Sequence, residues 1–145
     1  MLASAVAVGG GGLVFGVPPG LIVFAKRRRR DRRRRRPDAP GQVSGAWDEL
    51  LDNANDLGRP VQAAITRREA ATQLLEPSIA HLAADADAAT FGAHTPDERF
   101  VAAYWHRVDE SIAAIGSGLS ARARLRAKLS TASLRKQRRS VGDTT

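Results

Sequence analysis

The sequence predicts an all-α chain: an N-terminal transmembrane helix, a small cytoplasmic bundle of about four short helices, and a basic C-terminal helix. Three observations carry this expectation. Residues 1–25 hold no charged side chain and stop at Lys26–Arg36, which reads KRRRRDRRRRR. Beyond that block, apolar residues recur at steps of three and four, the period of an amphipathic helix. No run alternates as a half-buried strand does, and several stretches open with helix-capping residues.

The uncharged run is long enough to cross a bilayer core of ~30 Å, which takes about 20 apolar residues. Positive charge collects on the cytoplasmic side of such segments. Residues 1–25 are therefore expected to span the cell membrane once, with the N-terminus outside and everything after Lys26 in the cytoplasm. Gly9–Gly12 and the pair Pro18-Pro19 weaken the span. Glycine costs about 1 kcal/mol in a helix interior and proline about 3. Gly12, Gly16 and Gly20 lie at four-residue spacing, which suits close approach of another membrane helix. A secretory signal has its positive charges before the apolar run, and here the order is reversed. A disordered leader with a nucleic-acid-binding arm fits poorly with so many valines, leucines and phenylalanines. Met1 is followed at once by apolar sequence, the pattern expected of a chain cut from a longer membrane protein or of a misplaced start.

The net charge of +8 is unevenly placed. Lys26–Arg36 has ten basic residues and one acid, Pro37–Gly118 five arginines and thirteen acids, and Leu119–Thr145 eight basic residues and one acid. An acidic domain thus sits between two basic segments. The expected division is a transmembrane segment over 1–25, a polybasic juxtamembrane linker over 26–42, an acidic helical domain over 43–118, and a basic helix with a disordered tail over 119–145. Lys26, Arg27, Arg28, Arg29, Arg30, Arg32, Arg33, Arg34, Arg35 and Arg36 are expected at the membrane surface. So are Arg122, Arg124, Arg126 and Lys128. Anionic lipids are the expected partner, since each such cation near an anionic leaflet is worth about 1 kcal/mol. Other membrane helices or a cytoplasmic protein are further candidates, and nucleic acid is the competing one.

Pro37–Gln42 (PDAPGQ) reads as a hinge, because proline and glycine interrupt a helix. A first cytoplasmic helix is expected over Ser44–Leu57, with Val43, Trp47, Leu50, Leu51 and Ala54 inward and Gly58 as its stop. Thr66 and Glu69 form a capping-box pattern for a second, short helix whose expected buried stripe is Ala70, Ala71, Leu74 and Leu75. Pro77 ends it, because the residue before proline avoids helical geometry. A third helix is expected over Ser78–Ala89, with Ile79, Leu82, Ala83 and Ala86 inward. Thr95-Pro96-Asp97-Glu98 predicts a fourth start, with Thr95 as cap and Pro96 at the first helical position. Val101, Trp105, Val108, Ile112 and Ile115 then make one apolar stripe, broken at Ser117-Gly118. Leu119–Lys136 predicts a basic helix able to lie on an anionic surface.

Little in the chain suggests catalysis. It has no cysteine, which removes disulfides, thiolate metal ligands and a cysteine nucleophile. His81 and Asp85 share a helix face but are only two potential ligands. His94 and His106 have no nucleophile at a useful spacing. Gly9–Gly12 is not followed by Gly-Lys-Ser/Thr, so it is no phosphate loop. Trp47 and Trp105 fall on apolar stripes and read as core. No catalytic residue, metal or cofactor is expected.

The order of these features resembles the C-terminal end of bacterial, especially actinobacterial, transglutaminase-like membrane proteins. The matching pieces are the apolar run ending at Phe24, Arg27–Arg36, Ala46-Trp47-Asp48-Glu49-Leu50, Ile65-Thr66-Arg67-Arg68-Glu69-Ala70, Ala88-Ala89-Thr90-Phe91-Gly92 and the helix from Thr95. The resemblance implies a last membrane helix, an arginine block and a small cytoplasmic helical domain. The sequence departs from the family at Arg67, where a proline often follows the capping threonine. The family's catalytic Cys-His-Asp part is missing, so its activity does not carry over. The expectation is a non-enzymatic, membrane-tethered accessory domain, either a detached tail of such a protein or a stand-alone relative of its cytoplasmic part.

Overall fold

The computed structural model describes residues 18–130. Within them lie six α-helices and no strand: α1 (Pro19–Arg34), α2 (Ala39–Asp56), α3 (Arg67–Leu74), α4 (Pro77–Phe91), α5 (Glu98–Ser117) and α6 (Ala121–Leu129). The chain is thus all-helical over the described residues. No helix there is long and apolar enough to cross a membrane. Most of the uncharged run expected to span the bilayer lies outside the described residues, as does the tail after Ser130.

The prolines that weaken the apolar run instead begin a helix. Pro19 occupies the first turn of α1, where a missing N–H costs nothing. From there α1 runs through the arginine block without a break to Arg34. The stretch expected to be a linker, 26–42, is therefore mostly helix. The expected hinge shrinks to a tight connection, because Asp38 caps α2 by accepting from the Gly41 N–H at 2.6 Å. Pro40 fits the first turn of that helix. The expected 42/43 boundary falls inside α2, and its start moves from Ser44 back to Ala39.

Local signals explain most other ends. Thr66 and Glu69 form the full capping box of α3. Glu76, before Pro77, is extended (φ −112°, ψ 115°), which stops α3 at Leu74. The cap of α5 is Asp97, not Thr95: its carboxylate accepts from the Phe100 N–H at 2.7 Å. An aspartate three residues before a free amide caps as well as a threonine does, and it leaves Thr95 and Pro96 in the loop. α6 spans nine residues and ends at Leu129, and the last part of the expected Leu119–Lys136 lies outside the described residues.

The central helix is α2, which packs on α1, α4 and α5 and touches α6. α3 lies on α4, and α4 on α5. Trp47, Leu50, Leu74, Leu82, Val101, Trp105 and Val108 are buried in one core, joined by Val43, Ile79 and Tyr104. Leu51 and Ile112 pack against its edge, partly covered. The Tyr104 hydroxyl donates to the Leu82 carbonyl at 2.9 Å, tying α5 to α4.

Candidate functional site

The site is α1 and the charged surface around it. Like charges at four-residue spacing destabilise an isolated helix. A helix with eight cations in the nine residues Lys26–Arg34 needs compensation from outside itself. α2 and α5 supply it. Lys26 Nζ pairs with Asp56 at 2.8 Å, Arg29 with Asp52 at 3.1 Å, and Arg33 with both Glu49 and Asp52 at 2.7 Å. Residue numbers rise along α1 as they fall along α2, so the two helices are antiparallel. Arg36 reaches Asp48 at 3.8 Å.

The partners share one period. Glu49, Asp52 and Asp56 stand three and four apart on α2, and Lys26, Arg29 and Arg33 repeat the same steps on α1. Gly45 lets the helices close: a methyl group there would stand 2.9 Å from Arg33 Cβ and 3.2 Å from its carbonyl oxygen. Glu49 is a buried acid, held by Arg33 and by the Asn53 amide, which donates to Oε1 at 3.2 Å. Burial on its own would lower the Arg33 pKa. The carboxylates of Asp52 and Glu49 outweigh it and raise the pKa above the ordinary arginine value, so the clamp stays charged.

A second contact joins α1 to α5. Arg30 Nη2 donates to both oxygens of Asp109 at 2.7 Å. The Arg34 and Arg30 guanidinium carbons lie 4.5 and 5.4 Å from the Trp105 ring centroid. Trp105 thus has one side in the core and cations over its face, an arrangement worth about 0.5–2 kcal/mol. Its indole N–H is buried without a hydrogen-bond partner.

Arg28, Arg32 and Arg35 take the opposite side of the arginine block, and Arg27 lies on its flank toward α5 and α6. They are exposed and make no ion pair among the described residues. Leu21 and Phe24, one or two turns earlier, are also exposed, at 56% and 61%. The block expected to be uniformly at a membrane surface is therefore divided. Lys26, Arg29, Arg30, Arg33, Arg34 and Arg36 engage acids of the bundle, while four arginines face outward.

α6 meets the same end of α1. Lys26 Nζ donates to the Ala127 and Lys128 carbonyls at 3.0 and 3.2 Å. A cation at a helix C-terminus satisfies orphan carbonyls and complements the helix dipole. Ala127 is buried in this contact. Arg122, Arg124, Arg126 and Lys128 are exposed and form no ion pair among the described residues.

The histidines remain apart. His81, His94 and His106 are exposed, and the Asp85 carboxylate pairs with Arg107 at 2.6 Å. No group of three potential metal ligands occurs among the described residues. The sequence held one signal for the division of α1, the matched steps of cations and acids on two adjoining helices. The Arg30–Asp109 and Arg34–Trp105 contacts, across about 70 to 80 residues, carried no such signal. No family model, curated protein or solved structure matches this chain.

Proposed function

We propose that this chain is a non-enzymatic, membrane-tethered accessory domain that holds a helical bundle rigidly against the cytoplasmic face of an anionic membrane. In this reading residues 1–25 cross the membrane with the N-terminus outside. The chain then corresponds to the C-terminal part of a transglutaminase-like membrane protein system, and the bundle is offered to a cytoplasmic protein.

One observation carries the reading: the division of α1. A flexible polybasic tether would leave every arginine available to lipid. Here the inner cations are spent on Glu49, Asp52, Asp56 and Asp109. They weld the helix that follows the uncharged run to the bundle. The outer four remain for headgroups, with Leu21 and Phe24 beside them for the apolar edge of the leaflet. At about 1 kcal/mol per cation, four arginines contribute roughly 4 kcal/mol at an anionic surface. The exposed cations of α6 add to the same field.

The test is a soluble fragment, residues 18–145, which keeps α1. It is expected to bind anionic vesicles at low salt and to leave them at high salt, since screening acts within ~8 Å near physiological ionic strength. Replacing Arg27, Arg28, Arg32 and Arg35 by glutamine should weaken the binding at least tenfold and leave the melting temperature close to the parent's. Equal binding to neutral vesicles would refute the electrostatic part. Salt-dependent binding to DNA without vesicle binding would favour a nucleic-acid role instead. A reporter fused after Thr145 that works only outside the cell would refute the topology.

A further inference from the structure

A groove of about 490 Å³ opens where α1, α5 and α6 meet near the end of α2. That volume lies within the ~300–1,000 Å³ of ordinary ligand sites. Its floor is apolar, with Val23 from α1, Leu57 after α2, and Ile112 and Ala113 from α5. Its rim is cationic, with Arg27 from α1 and Arg124 and Lys128 from α6, all three exposed. The one acid in the lining, Asp56, is held by Lys26 at 2.8 Å, so it is already neutralised as a source of repulsion.

An apolar floor with a cationic rim suits one class of small molecule: an amphiphile with an anionic head. We infer that this groove binds a single anionic phospholipid, with an acyl chain against Ile112 and Leu57 and its phosphate at Arg27, Arg124 and Lys128. This rests on the membrane-surface reading above and gives it a specific site. The groove lies beside the first turns of α1, where the uncharged part of the sequence arrives. A lipid in the adjoining leaflet would reach it without leaving the interface. The charges also explain why α6 docks here without ion pairs of its own. Its backbone carbonyls receive Lys26, and Arg124 is left to face a ligand.

The full chain, held in an uncharged detergent micelle, would be titrated with dioctanoyl phosphatidylglycerol, dioctanoyl phosphatidylcholine and inorganic phosphate. Bound mass would be read by native mass spectrometry. One phosphatidylglycerol per chain is expected, with phosphatidylcholine at least tenfold weaker and phosphate alone not retained. Ala113→Trp fills the groove from an exposed helical position and should weaken phosphatidylglycerol binding more than tenfold. Arg124→Gln, at an exposed site, should weaken it several-fold with no loss of folding. Arg99→Gln, exposed at the far end of α5, should leave it unchanged. Several outcomes would overturn the inference: equal binding of the neutral lipid, retention of free phosphate, unaltered binding by both Ala113→Trp and Arg124→Gln, or a second copy of the chain in place of lipid. The salt-dependent vesicle binding of residues 18–145 should persist in Ala113→Trp. Loss of the groove ligand and loss of the surface reading are therefore separate results.

Discussion

The two basic helices of this protein have opposite fates. α1 buries much of its charge against acids of α2 and α5, whereas α6 keeps all four of its cationic side chains in solvent. The two are similar in composition and both were expected at a membrane surface. The difference is in what faces them. α1 lies against an acidic ladder at matching helical steps, with Gly45 admitting it closely. α6 lies against α1 itself, where further cations would only repel. It therefore docks through Ala127 and its carbonyl ends. A count of basic residues thus says little about where they go; the period of the opposing acids decides it.

Four measurements would break or sharpen that contrast. Trp105 is where α1 and the core meet, so Trp105→Ala is expected to cost roughly 3–5 kcal/mol, as large aromatic truncations do. Such a loss approaches the whole stability of a small domain. Trp105→Phe should cost far less, because it also removes a buried N–H that has no partner. Denaturant melts of residues 18–145 would read both. A Trp105→Ala variant that melts like the parent would mean α1 is not integral to the fold.

Arg33→Gln should come next, at about 3 kcal/mol, since it strands the buried Glu49 carboxylate. The matching change in α6, Arg126→Gln, should stay within about 0.5 kcal/mol, as exposed substitutions do. Equal effects from the two would erase the distinction between the helices.

Alkaline pH gives a third test. Burial holds the Tyr104 phenol pKa well above its ordinary value near 10. Below pH 10 the tyrosine is neutral in both the folded and unfolded chain. Above it the unfolded chain loses the proton first, so stability should fall by about 1.4 kcal/mol per pH unit until the folded pKa is reached. Arginine stays charged throughout this range, so the α1 clamp should survive while the core weakens. Tyr104→Phe should flatten the alkaline limb and give up the bond to Leu82. An unchanged limb would place the alkaline weakness elsewhere.

A small effect is expected from removing residues 119–145. The docked part of α6 contributes one buried alanine and two carbonyls for Lys26, worth about 1 kcal/mol together. The shortened chain should remain folded but bind anionic vesicles less tightly. A deletion that unfolds the bundle would make α6 a structural helix like α1.

The sequence by itself determined the helical class, the order of the helices from α2 to α5 and most of the core. Those follow from apolar spacing and local caps, which act within a turn or two of chain. Thr66-Glu69 and Pro77 carried their own instructions, and Val101, Trp105 and Val108 announced a buried face. Element ends were less legible where two capping residues competed, as Thr95 and Asp97 do. The tertiary structure alone decided the fate of the arginines. In sequence Lys26–Arg36 is a uniform block, but a helix divides it into two faces, and only the acids of α2 and α5 select which face is inward. That selection depends on Asp109 and Trp105, about 70 to 80 residues away, and on how closely Gly45 lets two backbones approach. Long-range Coulomb contacts and helix packing distance have no local signature, because neither is encoded within the span of a single turn.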